Sequence, residues 1–157
     1  MKGYGLFFTV LLAVVVTVMA GCSLNARQEA SLSRSVTNYL EAKRNGVTLA
    51  YVSMIHPDFV RYYVEKGDSS FKEKFTETQK DHYVDDATIQ TIVSEGASIH
   101  VLYKVKAVGN YYTETSDSTE AFLALSANDG ESWFFVQDKE YFDVSINPTF
   151  KRLITKK

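Results

Sequence analysis

The spacing of the hydrophobic residues changes once along the chain, near Ala87, and this change constrains the fold most. Before it, apolar residues recur every three to four positions, as on one side of a helix, and after it they alternate, as in strands. Strands are predicted at 88–94, 98–112, 118–127 and 132–141. Helices followed by antiparallel strands predict an α+β fold, with the helices packed on one sheet.

Two helices are predicted at the start of this helical part. The first covers 25–44 and ends at Asn45-Gly46, a typical helix stop. The second covers 48–55 and ends before Pro57, because the residue preceding a proline avoids the helical region. The apolar stripe of the first helix consists of Leu32, Val36, Tyr39 and Leu40.

A short strand and a third helix are predicted next. Residues 59–64 (FVRYYV) are rich in strand-forming side chains. Ser70 and Glu73 then form a capping-box pattern that opens a helix. Phe71 and Phe75 are four residues apart, so they share one face of that helix.

The clearest turn signal is Asp129-Gly130, which predicts a two-residue hairpin loop. This loop pairs Leu125 with Phe134, Leu123 with Val136, Ala124 with Phe135 and Ser126 with Trp133. One face of the hairpin then carries Phe122, Trp133 and Phe135, which are unusual on a solvated face. We interpret these rings as an interface patch; the alternative is that the chain covers both faces of its own sheet.

Aromatic residues of the helical part and of the second strand are candidates for a pocket. We expect Tyr62 or Tyr63, Phe71, Phe75 and Tyr103 to cluster between the helices and the sheet. Tyrosines combine an apolar ring with a polar hydroxyl, as binding pockets require. The alternative is that these rings fill the core completely.

The first 22 residues indicate export. Lys2 precedes an apolar run at 6–18, the length of a signal-peptide core. The motif Met19-Ala20-Gly21-Cys22 follows and resembles the lipobox of bacterial lipoproteins. The resemblance implies a signal peptide at 1–21 and a lipid on Cys22. An uncleaved span and cleavage without lipidation are the alternatives.

The lipoprotein resemblance implies a tether at 22–27 and one domain at 28–157. The domain would be held on the non-cytoplasmic side of a membrane, on the outer membrane facing the periplasm if the envelope is Gram-negative. The full chain has 17 basic residues; without Lys2 the mature part has 16 against 19 acidic ones, a net charge of −3. Nucleic-acid binding requires a basic face, so we expect no nucleic-acid partner. Cys22 is the sole cysteine, so we expect neither disulfides nor a thiolate metal site, and no cofactor is predicted.

The element order also resembles the NTF2-like family, which has the cystatin-like cone fold. The resemblance covers about 26–142 and includes the segment Ile55-His56-Pro57-Asp58-Phe59. It implies helices packed on a curved antiparallel sheet with a pocket between them.

Catalytic residues are not apparent in the sequence. Asp85-Asp86-Ala87-Thr88-Ile89 is similar to a stretch of the isomerase-like members of this family, but Gln90 and Thr91 stand where a base is needed. His56 is interpreted as a helix C-terminal cation, His100 as solvent-facing, and His82 as part of a solvated loop.

These observations favour a non-catalytic module that binds a small apolar ligand or a protein partner. The partner could be a second copy of the chain or another envelope protein. The alternatives are a cone-fold enzyme, isomerase- or dehydratase-like, and a structural envelope protein that only dimerises.

Overall fold

The computed structural model describes residues 23–46, 48–77, 82–109, 118–143 and 152–154. The predicted signal peptide and Cys22 lie outside these residues. The first helix, α1, spans Ala26–Arg44 and confirms the prediction. Asn25 caps it, since the Asn25 side chain accepts from the Gln28 N–H at 2.9 Å and the Gln28 Oε1 accepts from the Asn25 N–H at 2.9 Å.

Packing starts earlier than residue 28, the predicted start of the domain. Leu24, just before the cap of α1, is buried among core residues. In the sequence, only Ser23 lies between Cys22 and this buried leucine.

Helix α2, Thr48–Met54, is also confirmed, but the strand predicted at 59–64 is wrong. That segment lies inside helix α3, Pro57–Lys66. Proline suits the first turn of a helix, where its missing N–H is not needed. Phe59 and Tyr63, four residues apart on α3, both pack against the core, so tertiary burial outweighs the strand preference of these side chains.

The third predicted helix exists, but its predicted cap is wrong. Helix α4 spans Asp68–Lys72 and follows Gly67. The positive φ of Gly67, 104°, ends α3 and changes the direction of the backbone. Ser70 therefore lies inside α4 rather than at its start. One π-helical turn, Glu73–Glu77, continues directly from α4.

Within the described residues, four antiparallel strands form one sheet in the order β1-β2-β3-β4. They are β1 His82–Glu95, β2 Ser98–Gly109, β3 Ser118–Ser126 and β4 Phe134–Gln137. The α+β class predicted from the sequence is therefore correct. Strand β4 is shorter than predicted, because residues 138–142 form helix α5, Asp138–Phe142.

Three of the four predicted pairs of the β3–β4 hairpin are observed; Ser126 with Trp133 is not among the strand pairs, because β4 begins at Phe134. The observed pairs include Leu123 with Val136, Ala124 with Phe135 and Leu125 with Phe134. Asp129 and Gly130 have positive φ angles of 58° and 81°, as a two-residue hairpin turn requires. The Glu131 N–H donates to the Asn128 carbonyl at 3.2 Å and closes the turn.

The aromatic face of this hairpin is covered by the chain itself. Tyr39 of α1 stacks on Phe135 with ring centroids 4.3 Å apart and contacts Phe122 at 5.3 Å. Trp133 is 5% exposed and Phe135 is 0% exposed. The predicted interface patch of Phe122, Trp133 and Phe135 is therefore wrong, because α1 covers Phe122 and Phe135 and Trp133 is buried in the same core.

The opposite face of the sheet is also covered beside β3 and β4. Tyr141 of α5 and Leu153 lie buried there. His100 has Leu125 as its cross-strand partner, and its Nδ1 is 3.0 Å from the Tyr141 hydroxyl. The prediction that His100 faces solvent is therefore wrong: its strand parity was right, but α5 covers that side.

Candidate ligand groove

A groove of about 490 Å³ lies between α1 and the β1–β2 side of the sheet. Its helix wall is apolar in the middle and polar at the rim. Leu32 and Val36 are buried, whereas Glu29, Ser33 and Thr37 are exposed. The residues of this wall are Leu24, Glu29, Leu32, Ser33, Val36, Thr37 and Leu40. We call the feature the α1–sheet groove.

The sheet wall consists of Ala87, Ile89 and Ile92 of β1 and Tyr103 of β2. Ile89 pairs with Tyr103 and Ile92 pairs with Val101, although an odd and an even position would normally face opposite sides. The register shifts between Ile89 and Thr91, so the extra residue of this β-bulge returns Ile92 to the groove face. The bulge therefore builds this wall.

Tyr103 joins the groove to the aromatic core. Its ring stacks on Phe122 with centroids 5.0 Å apart and an interplanar angle of 7°. Burial raises the pKa of Tyr103 to about 12, so its hydroxyl stays neutral at physiological pH. The groove thus gains no charge from this side chain.

The predicted aromatic pocket is divided between two places. The ring centroid of Phe75 lies 5.4 Å from that of Tyr63 and 4.9 Å from that of Phe71. The ring centroids of Tyr62 and Tyr63 are 5.2 Å apart. These four rings lie among α3, α4 and the π-helical turn, whereas Tyr103 lies on the sheet. Of the predicted pocket residues, only Tyr103 lines the α1–sheet groove.

A buried ion pair lies outside the groove and joins the π-helical turn to α5. Lys74 Nζ is 2.6 Å from Glu140 Oε1, and Glu140 is 4% exposed. Tyr63 donates its hydroxyl to the same oxygen at 3.0 Å, and the Gln137 N–H donates to Oε2 at 3.3 Å. Lys74 also donates to Gln137 Oε1 at 2.8 Å. Both oxygens of this carboxylate are therefore engaged.

This arrangement keeps the Tyr63 hydroxyl protonated. Burial raises its pKa, and the charge of Glu140 raises it further. Removing Lys74 would leave a buried carboxylate without its counter-ion, which is strongly destabilising. The contacts fit a structural connection between α3, α5 and the π-helical turn.

His56 has a different role from the one predicted. It precedes α3, and its Nδ1 accepts a hydrogen bond from the Asp58 N–H at 3.3 Å. Burial lowers the pKa of His56, with Arg61 lowering and Asp58 raising it by smaller effects. A neutral ring suits the positive end of a helix, so the prediction of a C-terminal cation is wrong.

Two features of the groove, the bulge in β1 and the contribution of Leu24, were not predicted from the sequence. The bulge near Gln90, and with it the shared face of Ile89 and Ile92, has no recognisable signature in β1. Leu24 did have a signal, because a hydrophobic residue just before a helix cap often packs onto the first turn.

The side chains of His82, Asp85 and Asp86 lie outside the described part. Within the described residues, no group of three or more His, Cys, Asp or Glu side chains could hold a metal ion.

Comparison with known proteins finds no matching family, no similar curated protein and no similar solved structure. Among the helices that the structure describes, none has the length and apolar character needed to cross a membrane.

Proposed function

We propose that the chain is an envelope lipoprotein whose NTF2-like domain binds an apolar ligand without catalysis. The anchor would be the lipid on Cys22, and the binding site would be the α1–sheet groove. The observation that carries the proposal is the groove itself. Its volume of about 490 Å³ is in the range of small-molecule sites, which are mostly apolar with a few polar groups.

The chemistry of the groove favours binding over catalysis. Proton transfer needs an acid or base positioned beside the substrate. Among the described residues of the groove wall, Glu29 is the single carboxylate, it is exposed on the rim, and there is no histidine. The buried carboxylate of Glu140 lies elsewhere and is already held by Lys74 and Tyr63.

The architecture supports an NTF2-like assignment within the observed α+β class. Helices precede an antiparallel sheet, and α1 lies across one face with a groove between the two layers. Strand β1 contains two register shifts, and bulges of this kind bend a strand. A bent β1 beside α1 would give the open side of a cone.

The short tether gives the anchor a consequence for the groove. Leu24 is a groove residue, and only Ser23 lies between it and Cys22. A lipid on Cys22 would therefore hold the N-terminal end of α1, and with it the end of the groove, close to the membrane.

Mass spectrometry of the native protein tests the anchor. The mature chain is expected to begin at Cys22 and to carry acyl chains, and Cys22→Ala is expected to abolish both the lipid and the cleavage. A native protein that retains Met1 would contradict the anchor while leaving the groove unaffected.

Fluorescence titration with cis-parinaric acid tests the ligand site in a domain lacking residues 1–22. We expect saturable binding that weakens about tenfold in Ile89→Asp, since a charge would enter the groove. Thr88→Asp is the matched control, because Thr88 is exposed and pairs with Lys104 on the opposite face. Equal binding by both variants would place the ligand outside the groove.

A further inference from the structure

We infer that the occupant of the α1–sheet groove is one acyl chain of the protein's own lipid on Cys22. This inference rests on the proposed function, because it requires that Cys22 be acylated. It names both the ligand class, a single unbranched hydrocarbon chain, and its source. The remaining acyl chains of the lipid would stay in the bilayer and keep the protein anchored.

Connectivity is the first argument. Leu24 lies in the groove wall, two residues after Cys22. Two residues of extended chain span at most about 7 Å. Leu24 precedes α1 and Glu29 is in its first turns, so a chain attached at residue 22 would enter the groove at this end.

Length is the second argument. Along α1 the groove extends from Glu29 to Leu40. Eleven residues at about 1.5 Å each give a length of roughly 16 Å. The hydrocarbon core of a bilayer is about 30 Å thick, so the acyl chains of one leaflet extend over about 15 Å. The groove therefore matches the length of one lipid chain.

The distribution of polar groups is the third argument. Leu32 and Val36 lie buried at the base of the helix wall, and Ala87 and Ile92 are half-buried on the sheet wall. These aliphatic side chains can contact methylene groups along the whole length. Among the lining residues that the structure describes, Glu29 is the one charged residue; it is exposed and lies near the entry end, where the polar part of the lipid would be.

Mass action is the fourth argument. A tethered acyl chain is present at a high effective concentration beside its site, which a free ligand cannot match. Because a bilayer and an apolar groove both remove methylene groups from water, moving one chain between them exchanges like for like. Occupancy of the groove therefore requires little net driving force.

Photo-cross-linking of the full-length, lipidated protein tests the inference. Cells are grown with a fatty acid that carries a diazirine at mid-chain, so that the lipid on Cys22 is labelled. The purified protein is placed in phosphatidylethanolamine–phosphatidylglycerol vesicles and irradiated, and cross-linked peptides are identified by mass spectrometry. We expect the acyl chain to be linked within the same chain to groove peptides that contain Leu32 or Ile92.

The variants are chosen on the exposed side of α1. Ser33→Trp is expected to fill the groove and reduce the intramolecular cross-link about tenfold. Arg34→Trp is the matched control, because Arg34 is also exposed and lies outside the lining. If Ser33→Trp does not fold, Thr37→Trp with Asn38→Trp as its control makes the same comparison.

The outcomes separate the two proposals. An acylated Cys22 whose chain links only to phospholipid or to a second copy overturns this inference and leaves the anchor intact. Equal cross-linking in all variants also overturns it. An unacylated Cys22 overturns the anchor itself, and the inference with it.

Discussion

The two edges of the sheet are packed in different ways under the same helices. At the β4 edge, rings of Tyr39, Phe122 and Phe135 fill the space between α1 and the sheet. At the β1 edge, the facing side chains are aliphatic and smaller, and Ile89 remains 47% exposed. Large rings therefore fill the core along one side of α1, whereas smaller aliphatic side chains leave a groove along its other side.

The two edges of the sheet also differ in the backbone contacts that their outer strands make. Ile55 forms a parallel bridge with Phe135, and the His56 N–H donates to the Phe135 carbonyl at 3.0 Å. These contacts extend the sheet beyond β4 and join it to α2 and α3. At β1 the corresponding feature is a pair of bulges, which shape the strand instead of extending the sheet.

The largest expected difference between the two edges is in the loss of stability when a side chain of α1 is truncated, and Tyr39 should show the greater loss. Tyr39 is 1% exposed and contacts Phe122, Phe135 and Tyr51. Tyr39→Ala is expected to lower the free energy of unfolding by about 3–5 kcal/mol. Leu40→Ala, at the neighbouring half-buried groove position, is expected to lower it by about 1 kcal/mol. Urea unfolding of both variants measures the difference, and equal losses would mean that both edges are packed alike.

Gly130→Ala tests how firmly the β3–β4 turn is seated against α1. A Cβ at Gly130 would lie 2.7 Å from Gln28 Cγ, and Gln28 is held by hydrogen bonds from its Nε2 to Asp129 Oδ1 at 2.8 Å and to the Asp129 carbonyl at 3.2 Å. The positive φ adds backbone strain, so we expect a loss of about 2–4 kcal/mol.

Gly96→Ala is the control for this substitution. Gly96 also has a positive φ, of 59°, but no atom lies within 4 Å of its added Cβ. Only the backbone cost of about 1–2 kcal/mol should remain. Similar melting temperatures of the two variants would show that Gln28 moves aside and that the seating is loose.

The smallest expected effect is a change of stability with pH, caused by His56 beside the β4 edge. Because burial lowers the pKa of His56 in the folded state, the unfolded chain binds a proton more readily. Stability should therefore fall as the pH decreases through the unfolded value of about 6.5 and further towards the folded pKa. His56→Asn keeps a side-chain acceptor for the start of α3 but cannot titrate, so it should reduce this dependence.

Urea unfolding at pH 7.5 and pH 5.5 compares the two proteins. Other titrating groups contribute equally to both, so the difference between their pH slopes isolates His56. Identical slopes would show that the His56 ring is solvated well enough to protonate without cost.

Local sequence patterns determined that helices come first and antiparallel strands follow, and they determined the register of the β3–β4 hairpin. The stripe of α1, its stop at Asn45, the strands after Ala87 and the Asp129-Gly130 turn each depend on neighbouring residues. Periodicity and turn chemistry act over a few residues, so they can be read without knowing the rest of the fold.

Tertiary structure decided which faces are covered and where space remains. Residues 59–64 became helical because Phe59 is buried and Tyr63 packs against the same core, and Trp133 is buried beside the β3–β4 turn instead of exposed in a patch. The groove depends on a one-residue bulge and on small side chains that meet across two elements distant in sequence. Such features depend on the sum of long-range contacts, whereas a sequence pattern reports only the local preference of each segment.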